Sequence, residues 1–377
     1  MSNQKLKVAV IVGTRPEIIK LAKTIKACEE YFELILIHTG QNWDYTLNQV
    51  FFEDLELPEP KHYLESVGVN LGETIGNIIS KSYSILESEQ PDAVLVLGDT
   101  NSALSAISAK RLKIPIFHME AGNRCFDENL PEEINRKIVD HISDVNLPYT
   151  EHARRYLMSE NTRKEYTFVT GSPMAELLWA SQESIASSKI QLDLGLEKDS
   201  YILVSAHREE NIDEKKNFIS LMNALNDIAE KYQMPIIYST HPRTQDRIKK
   251  SGIKMHKSIQ LLKPFGFFDY NRLQLDSFCV LSDSGTLAEE SAILGFSAVS
   301  LRTSTERPEV IDKGTMIIGG IKTNDILQAI ELSRHMQQNN EPMPLTESYA
   351  DVNVSLKVIK IIQSYTKIIN KFIWRKD

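Results

Sequence analysis

Short aliphatic and β-branched runs alternate with helix-length amphipathic segments along the whole chain, and most runs break off at small or charged residues. That alternation is the mark of parallel sheets joined by crossover helices. In the first half, strands are expected at residues 7–12, 34–38, 93–97 and 114–118, with weaker ones at 145–147 and 167–169. Between them, residues 17–29, 71–87, 102–112 and 131–141 carry apolar side chains at helical intervals. Around residues 180–200 the sequence turns polar and helix-prone, which marks a domain junction. A second series follows, with strands at 201–205, 235–239, 259–262, 278–281, 298–301 and 315–318 and helices at 215–231, 286–294 and 325–335. The tail, 352–372, is apolar at helical spacing and carries late lysines, as a helix C-terminus prefers.

A chain of 377 residues exceeds one hydrophobic core, so two domains are expected. The fold class read from the pattern is α/β: two doubly wound Rossmann-like domains facing a central cleft. Residues 1–185 form the first domain, 186–360 the second, and 361–377 a final helix. The net charge of −8 argues against a nucleic-acid partner, without forbidding a local basic pocket. Cys28, Cys125 and Cys279 are far apart, with neither metal-ligand spacing nor a disulfide framework, so a reducing, cytoplasmic compartment is expected. No apolar run has the length of a membrane span.

In doubly wound sheets ligands gather where strands end, and five polar motifs sit at such places. Gly13-Thr14-Arg15-Pro16-Glu17 follows the first strand, where free amides, Arg15 and Lys20 could grip a phosphate. Asp99 ends the most apolar strand within Gly98-Asp99-Thr100-Asn101, placed either for acid–base work or as a helix N-cap. Glu120 lies in His118-Met119-Glu120-Ala121-Gly122-Asn123-Arg124. Pro131 then starts a helix with Glu132 in its first turn and Arg136 one turn later on the same face. Taken singly, Glu132 and Arg136 could be a surface ion pair of little weight; three acids on one rim point further.

In the second half, His207 and Arg208 end one strand and His241 and Arg243 the next, a pairing suited to diphosphate. Ser282-Asp283-Ser284-Gly285-Thr286 has the small residues of an amide nest ahead of a helix. Glu290, nearly two turns in, could accept both ribose hydroxyls. Arg302 to Glu309 add polar groups after the next strand. No G-x-G-x-x-G occurs, so a nicotinamide cofactor loses support.

In this order, GTRPE, GDT, EAG with PEE-x-NR, AHREEN, DSG-x-x-x-EE and TERPE resemble the non-hydrolysing UDP-N-acetylglucosamine 2-epimerase family over essentially the whole chain. The resemblance implies a glycosyltransferase-B type architecture, a homodimer, a last helix returning to the first domain, and UDP held mainly by the second. It implies nucleotide contacts from Arg15, Lys20, His207, Ser284, Gly285, Thr286, Glu290 and Arg307, with Arg208 and His241 beside them. Tyr270 falls in a loop that meets uracil in relatives. Asp99, Glu120 and Glu132 take the role of catalytic acids, with Arg136 and His207 as their partners. Neither cofactor nor metal is expected.

The family's H-R-R-E reads His207-Arg208-Glu209-Glu210 here, and its S-G-G reads Ser284-Gly285-Thr286. The T-G-Q-H segment of an activator pocket in bacterial relatives reads Thr39-Gly40-Gln41-Asn42-Trp43. AHREEN, AGNRCFDENLPEEINR and TSTERPE look closest to the UDP-N-acetyl-L-fucosamine synthase branch, which inverts carbon 2 of UDP-2-acetamido-2,6-dideoxy-L-talose. The competing expectations are UDP-N-acetylglucosamine to UDP-N-acetylmannosamine epimerisation, a hydrolysing 2-epimerase, a retaining glycosyltransferase and a non-catalytic nucleotide-sugar sensor.

Overall fold

The aliphatic runs become two six-stranded, all-parallel sheets in the computed structural model, which describes residues 5–40, 49–339, 341 and 345–376. The first sheet holds β1 (Lys7–Val12), β2 (Glu33–His38), β3 (His62–Tyr63), β4 (Ala93–Leu97), β5 (Ile116–Met119) and β6 (Val145–Leu147). Its spatial order is β3-β2-β1-β4-β5-β6. The second holds β7 (Ile202–Ser205), β8 (Ile236–Ser239), β9 (Ile259–Leu262), β10 (Cys279–Ser282), β11 (Ala298–Ser300) and β12 (Ile317–Ile318), in the order β12-β11-β10-β7-β8-β9. Counted from its own first strand, the second sheet repeats the order of the first. This is the doubly wound arrangement, with a switch point between β1 and β4 in one sheet and between β7 and β10 in the other.

Central strands of such sheets are covered on both faces and so read as continuous apolar runs. Every residue of β4, Ala93-Val94-Leu95-Val96-Leu97, is buried, as is every residue of β7 and β10. Around the first sheet Ala9, Ile11, Ile35, Val94, Val96 and Ile116 pack with Leu86, Leu104 and Val139 from helices. In the second, Ile202, Val204, Ile236 and Leu281 pack against Leu221, Leu225 and Ile228 of the helix Lys215–Tyr232.

One unit comprises Met1–Trp179 with Ala350–Asp377, the other Ala180–Tyr349. The sequence reading set these joints at 185 and 360. The final helix, Val354–Phe372, packs on the helix Arg15–Tyr31 of the first unit and buries Val358, Ile362 and Ile369. Residues 167–169 form no strand; Thr167 makes a lone bridge to Asn146 at the sheet's β6 edge. Residues 102–112 do not form one helix. They open as a 3-10 turn, Asn101–Ser105, before the helix Ala106–Arg111, and in that turn Ser102 points its hydroxyl onto Glu17. Among the described residues no helix is long and apolar enough to cross a membrane.

Gly122, in the loop leaving β5, has φ +82°, and a Cβ there would fall 2.4 Å from the Ala153 carbonyl oxygen and 2.8 Å from Leu157. Gly252 ends the helix Pro242–Ser251 at φ +70° with open space around it. Left-handed backbone costs an L-residue roughly 1–2 kcal/mol, and only Gly122 adds a collision with backbone. Gly122→Ala is therefore expected to lower the thermal unfolding midpoint by several degrees more than Gly252→Ala, as read by calorimetry of the two variants.

Candidate active site

The first switch point is tied by a carboxylate. Glu17, in the first turn of the helix after β1, is buried; its Oε2 accepts from Gly13 N at 3.0 Å and Thr14 N at 2.8 Å. Its Oε1 accepts from Ser102 Oγ at 2.6 Å, across from the end of β4. Burial pushes the Glu17 carboxyl up, more than the donors Ser102, Thr14, Thr100 and Gly13 pull it down. This carboxylate shapes the turn that carries Arg15, whose guanidinium lies 5.6 Å from the Phe51 ring centre.

Two of the acids expected from sequence then appear with cations. Asp99 Oδ2 lies 2.6 Å from Arg136 Nη2, and Asn135 donates to the Asp99 carbonyl at 3.0 Å. Glu120 Oε2 lies 2.6 Å from Lys20 Nζ, both largely buried. The two pairs are neighbours, since a Cβ at Gly98 would stand 3.9 Å from Glu120 Oε2. Glu120 itself holds φ +63°, a conformation rare outside glycine and found where a site imposes it. Glu132 sits half-buried in the first turn of the helix Pro131–Ile142. Arg136 reaches Asp99 with one arm and Glu133, at 3.0 Å, with the other.

Behind these groups lies a buried network that sequence reading passed over. His118 Nε2 meets the Gly98 carbonyl at 2.8 Å, and its Nδ1 is 2.9 Å from Asp140. Asp140 also takes Arg124 Nη1 at 2.7 Å and the Gly122 amide at 3.1 Å. Burial alone would raise the Asp140 carboxyl, but His118 and Arg124 outweigh it and hold it below the usual range. The motif quoted around Glu120 contained His118 and Arg124; their partner Asp140 stands a helix away, with no local signal.

The second switch point repeats the device. Asp283, fully buried after β10, accepts from the amides of His207 at 3.0 Å and Arg208 at 2.9 Å and from Asn211 Nδ2 at 3.0 Å. His207 Nε2 lies 3.3 Å from Ser205 Oγ. Arg208 Nε returns a bond to the Asp283 carbonyl at 2.9 Å. Ser284, Gly285 and Thr286 follow at the start of the helix Leu287–Leu294, with Ser284 and Thr286 hydroxyls 3.0 Å apart. A Cβ at Gly285 would meet Glu306 Oε1 at 2.9 Å, so a side chain there would crowd the nest. Arg307 is 1% exposed and 3.5 Å from Glu289, while Arg302 pairs with Glu306 at 2.7 Å. His241 caps the helix Pro242–Ser251, its Nδ1 accepting from Arg243 N at 3.2 Å.

Two expectations need correction. Glu290 lies in the first turn of its helix, not nearly two turns in, because the chain becomes helical only at Leu287; Gln274 donates to its carboxylate at 2.7 Å. Tyr270 is not in a loop but in the first turn of the helix Phe267–Asp276, which Gly266 begins. Of the departing segment at residues 39–43, Gln41, Asn42 and Trp43 lie outside the described residues. Among the described residues no group of three or more His, Cys, Asp or Glu side chains is arranged for a metal ion.

The profile of a family described as UDP-N-acetylglucosamine 2-epimerase matches residues 25–363. The chain belongs to that family. A UDP-N-acetylglucosamine 2-epimerase structure from Rickettsia bellii shares 46% identity and a TM-score of 0.92, over 99% of this chain and 100% of the other. The Methanocaldococcus jannaschii UDP-GlcNAc 2-epimerase, crystallised with UDP-GlcNAc and UDP, shares 33% identity and a TM-score of 0.89, covering 95% and 99%. A UDP-2,3-diacetamido-2,3-dideoxy-D-glucuronate 2-epimerase from Pseudomonas aeruginosa is 34% identical over 334 residues, 87% of this chain and 92% of its own. The protein is an isomerase, a UDP-sugar 2-epimerase with two Rossmann-like units of the glycosyltransferase-B kind.

In this epimerase the charge at Asp140 has a consequence for stability. Its folded-state proton affinity lies below the unfolded one, so its stabilisation is present above about pH 4 and lost as pH falls through the lower folded value. Asp140→Asn is expected to unfold more easily at neutral pH, because Arg124 loses a buried partner. Its midpoint should also decline less steeply than the wild type's below about pH 4. Parallel acid titrations by circular dichroism compare the two slopes.

Proposed function

We propose that this chain inverts carbon 2 of a UDP-2-acetamido sugar by expelling and recapturing UDP. The proposed substrate is UDP-2-acetamido-2,6-dideoxy-L-talose and the product UDP-N-acetyl-L-fucosamine, a precursor for surface polysaccharide. The carbon-2 hydrogen adjoins no carbonyl, so direct deprotonation is too slow. Loss of UDP from carbon 1 builds cationic character there and makes that hydrogen acidic. A glycal intermediate then takes a proton on the opposite face and recaptures UDP.

The observation that carries this reading is the pair of carboxylate–cation couples, Asp99–Arg136 and Glu120–Lys20, at adjoining strand ends of the first unit. Inversion needs proton donors and acceptors working on two faces, and paired acids near one another suit that task. Glu132 is proposed as the third acid. In the second unit, Ser284, Gly285 and Thr286 would cradle the phosphates, with His207, Arg208 and Arg307 meeting the developing charge of departing UDP. Arg15, Lys20, His241, Tyr270 and Glu290 complete the proposed nucleotide-sugar contacts. The talose assignment is supported by the wording of the segments 121–136, 206–211 and 303–309. A second substrate, UDP-N-acetylglucosamine, is favoured by the names of the Rickettsia and Methanocaldococcus relatives.

Each UDP-sugar, incubated with the enzyme in heavy water and followed by proton NMR, is expected to take deuterium at carbon 2 in the interconverted product, fastest for the 6-deoxy-L-talo compound. Preference for UDP-N-acetylglucosamine would replace that substrate, and free UDP with released sugar would turn the reading to hydrolysis. Asp99→Asn should lose turnover by ~100 to 10,000-fold while UDP affinity, from calorimetric titration, stays within about threefold. Activity near the wild-type level would remove Asp99 from the chemistry.

We also infer a homodimer. Ile134 and Ile138 stand one turn apart on the helix Pro131–Ile142 and are 51% and 38% exposed, an apolar surface of the kind partners cover. Light scattering should give twice the chain mass, and Ile134→Glu should reduce it; a wild-type monomer at micromolar concentration would refute this.

A further inference from the structure

A carboxylate that gives and takes protons poses a problem for the cation beside it. When Asp99 is ionised it attracts Arg136; when Asp99 is protonated most of that attraction disappears, and a flexible arginine gains rotamer entropy by leaving. Arg136 is nevertheless 3% exposed, and a guanidinium so placed needs a standing partner. Glu133 is placed to be that partner. Its side chain is fully buried, and Oε2 accepts from Arg136 Nη1 at 3.0 Å. The same carboxylate accepts from the Cys125 amide at 3.1 Å, the Cys125 thiol at 3.2 Å and the Phe126 amide at 3.3 Å.

The two arms of Arg136 thus go to different carboxylates, Nη1 to Glu133 and Nη2 to Asp99. A guanidinium plane held at both arms cannot rotate, and loses neither position nor orientation when one acid is neutralised. Glu133 also ties down the loop between Glu120 and Pro131, since it takes the Cys125 and Phe126 amides from the middle of that loop. Phe126 keeps φ +59° there, a backbone conformation that the bond from its amide to Glu133 helps to hold. A carboxylate used only for packing would be costly, because an apolar residue of similar size often serves a core as well or better.

We propose that Glu133 is a positioning residue that keeps Arg136 at Asp99 through both protonation states of Asp99. The proposal rests on Asp99 acting as an acid–base group in the carbon-2 inversion, and its test separates the two ideas. Asp99→Asn stands in for the protonated acid with nearly the same shape. In crystal structures, Arg136 should keep its bond to Glu133 in Asp99→Asn and swing away in Asp99→Asn/Glu133→Gln. Arg136 unmoved in the double variant would overturn the proposal, whatever the substrate is.

In turnover, Glu133→Gln alone should lower kcat about 100-fold, the size expected of a misplaced catalytic group, with KM within about twofold. Glu133→Asp, which keeps the charge, should recover part of that loss. A merely structural role would instead lower the unfolding midpoint and leave kcat per folded enzyme unchanged, which also overturns it. Should Glu133→Gln fail to fold, the same comparison is made with Glu133→Asp, where a kcat equal to the wild type's at unchanged KM counts against the proposal. If the wild type incorporates no deuterium from either UDP-sugar, the functional reading fails, while the crystallographic comparison still decides the placement of Arg136.

Discussion

At a topological switch point two neighbouring strands send their chains to opposite faces of the sheet, so nothing covalent holds the two departing loops at a fixed spacing. In both units a buried carboxylate supplies that constraint. Glu17 reaches from the turn after β1 to Ser102 beyond β4, and Asp283 reaches from the end of β10 to the amides that follow β7. The two acids come from opposite sides of their respective switch points, so the device is shared while the direction is reversed. A carboxylate suits the task because it accepts several donors at once, and burial makes each missing donor expensive. Arg15, Asp99, His207 and Ser284 all stand within three residues of the groups so tied.

The buried carboxyls at the first switch point differ in character. At Glu17 burial dominates and raises the carboxyl despite four donors, so its ionisation costs folding stability as pH rises. The neighbouring His118–Asp140–Arg124 set behaves in the opposite sense, with opposing charges outweighing burial. The first unit therefore places two buried carboxyl groups of contrary tendency behind its paired acids. Such contrasts are how one region can hold some carboxyls ionised and keep others ready to accept a proton. The second unit presents mainly donors, from amides, hydroxyls and guanidinium groups, which is the lining a diphosphate requires.

Much of this was legible in the sequence, and the limits have physical causes. β1, β4, β6 and β9 fall on the residues that the sequence marked; for the central strands β1 and β4 the reason is that strands buried on both faces leave an unbroken apolar signature. The polar strand ends were likewise readable, since a βα turn confines small and charged residues to few positions. What escaped was pairing across distance. Nothing local connects Asp140 with His118, Glu133 with the loop amides at 125 and 126, or Gln274 with Glu290. The two-residue strand β3 is too short to show a period at all. Register along a helix was the other weak point: where Leu287 and Phe267 begin their helices is decided by turn hydrogen bonds, so Glu290 and Tyr270 were set in the wrong surroundings.

The order in which the chain leaves the ribosome adds a burden that the finished molecule conceals. The helix Arg15–Tyr31 is made well before the helix Val354–Phe372 that packs on it. Between them the whole of Ala180–Tyr349 must emerge, and that insertion holds a sheet and core of its own and can condense first. Until residues 354–372 emerge, the sites that will receive Val358, Ile362 and Ile369 remain open to water and to other nascent chains. A nonsense codon a few residues before 354 would thus yield a product with a complete second unit and an unsealed first one, prone to aggregate although both switch points had been translated.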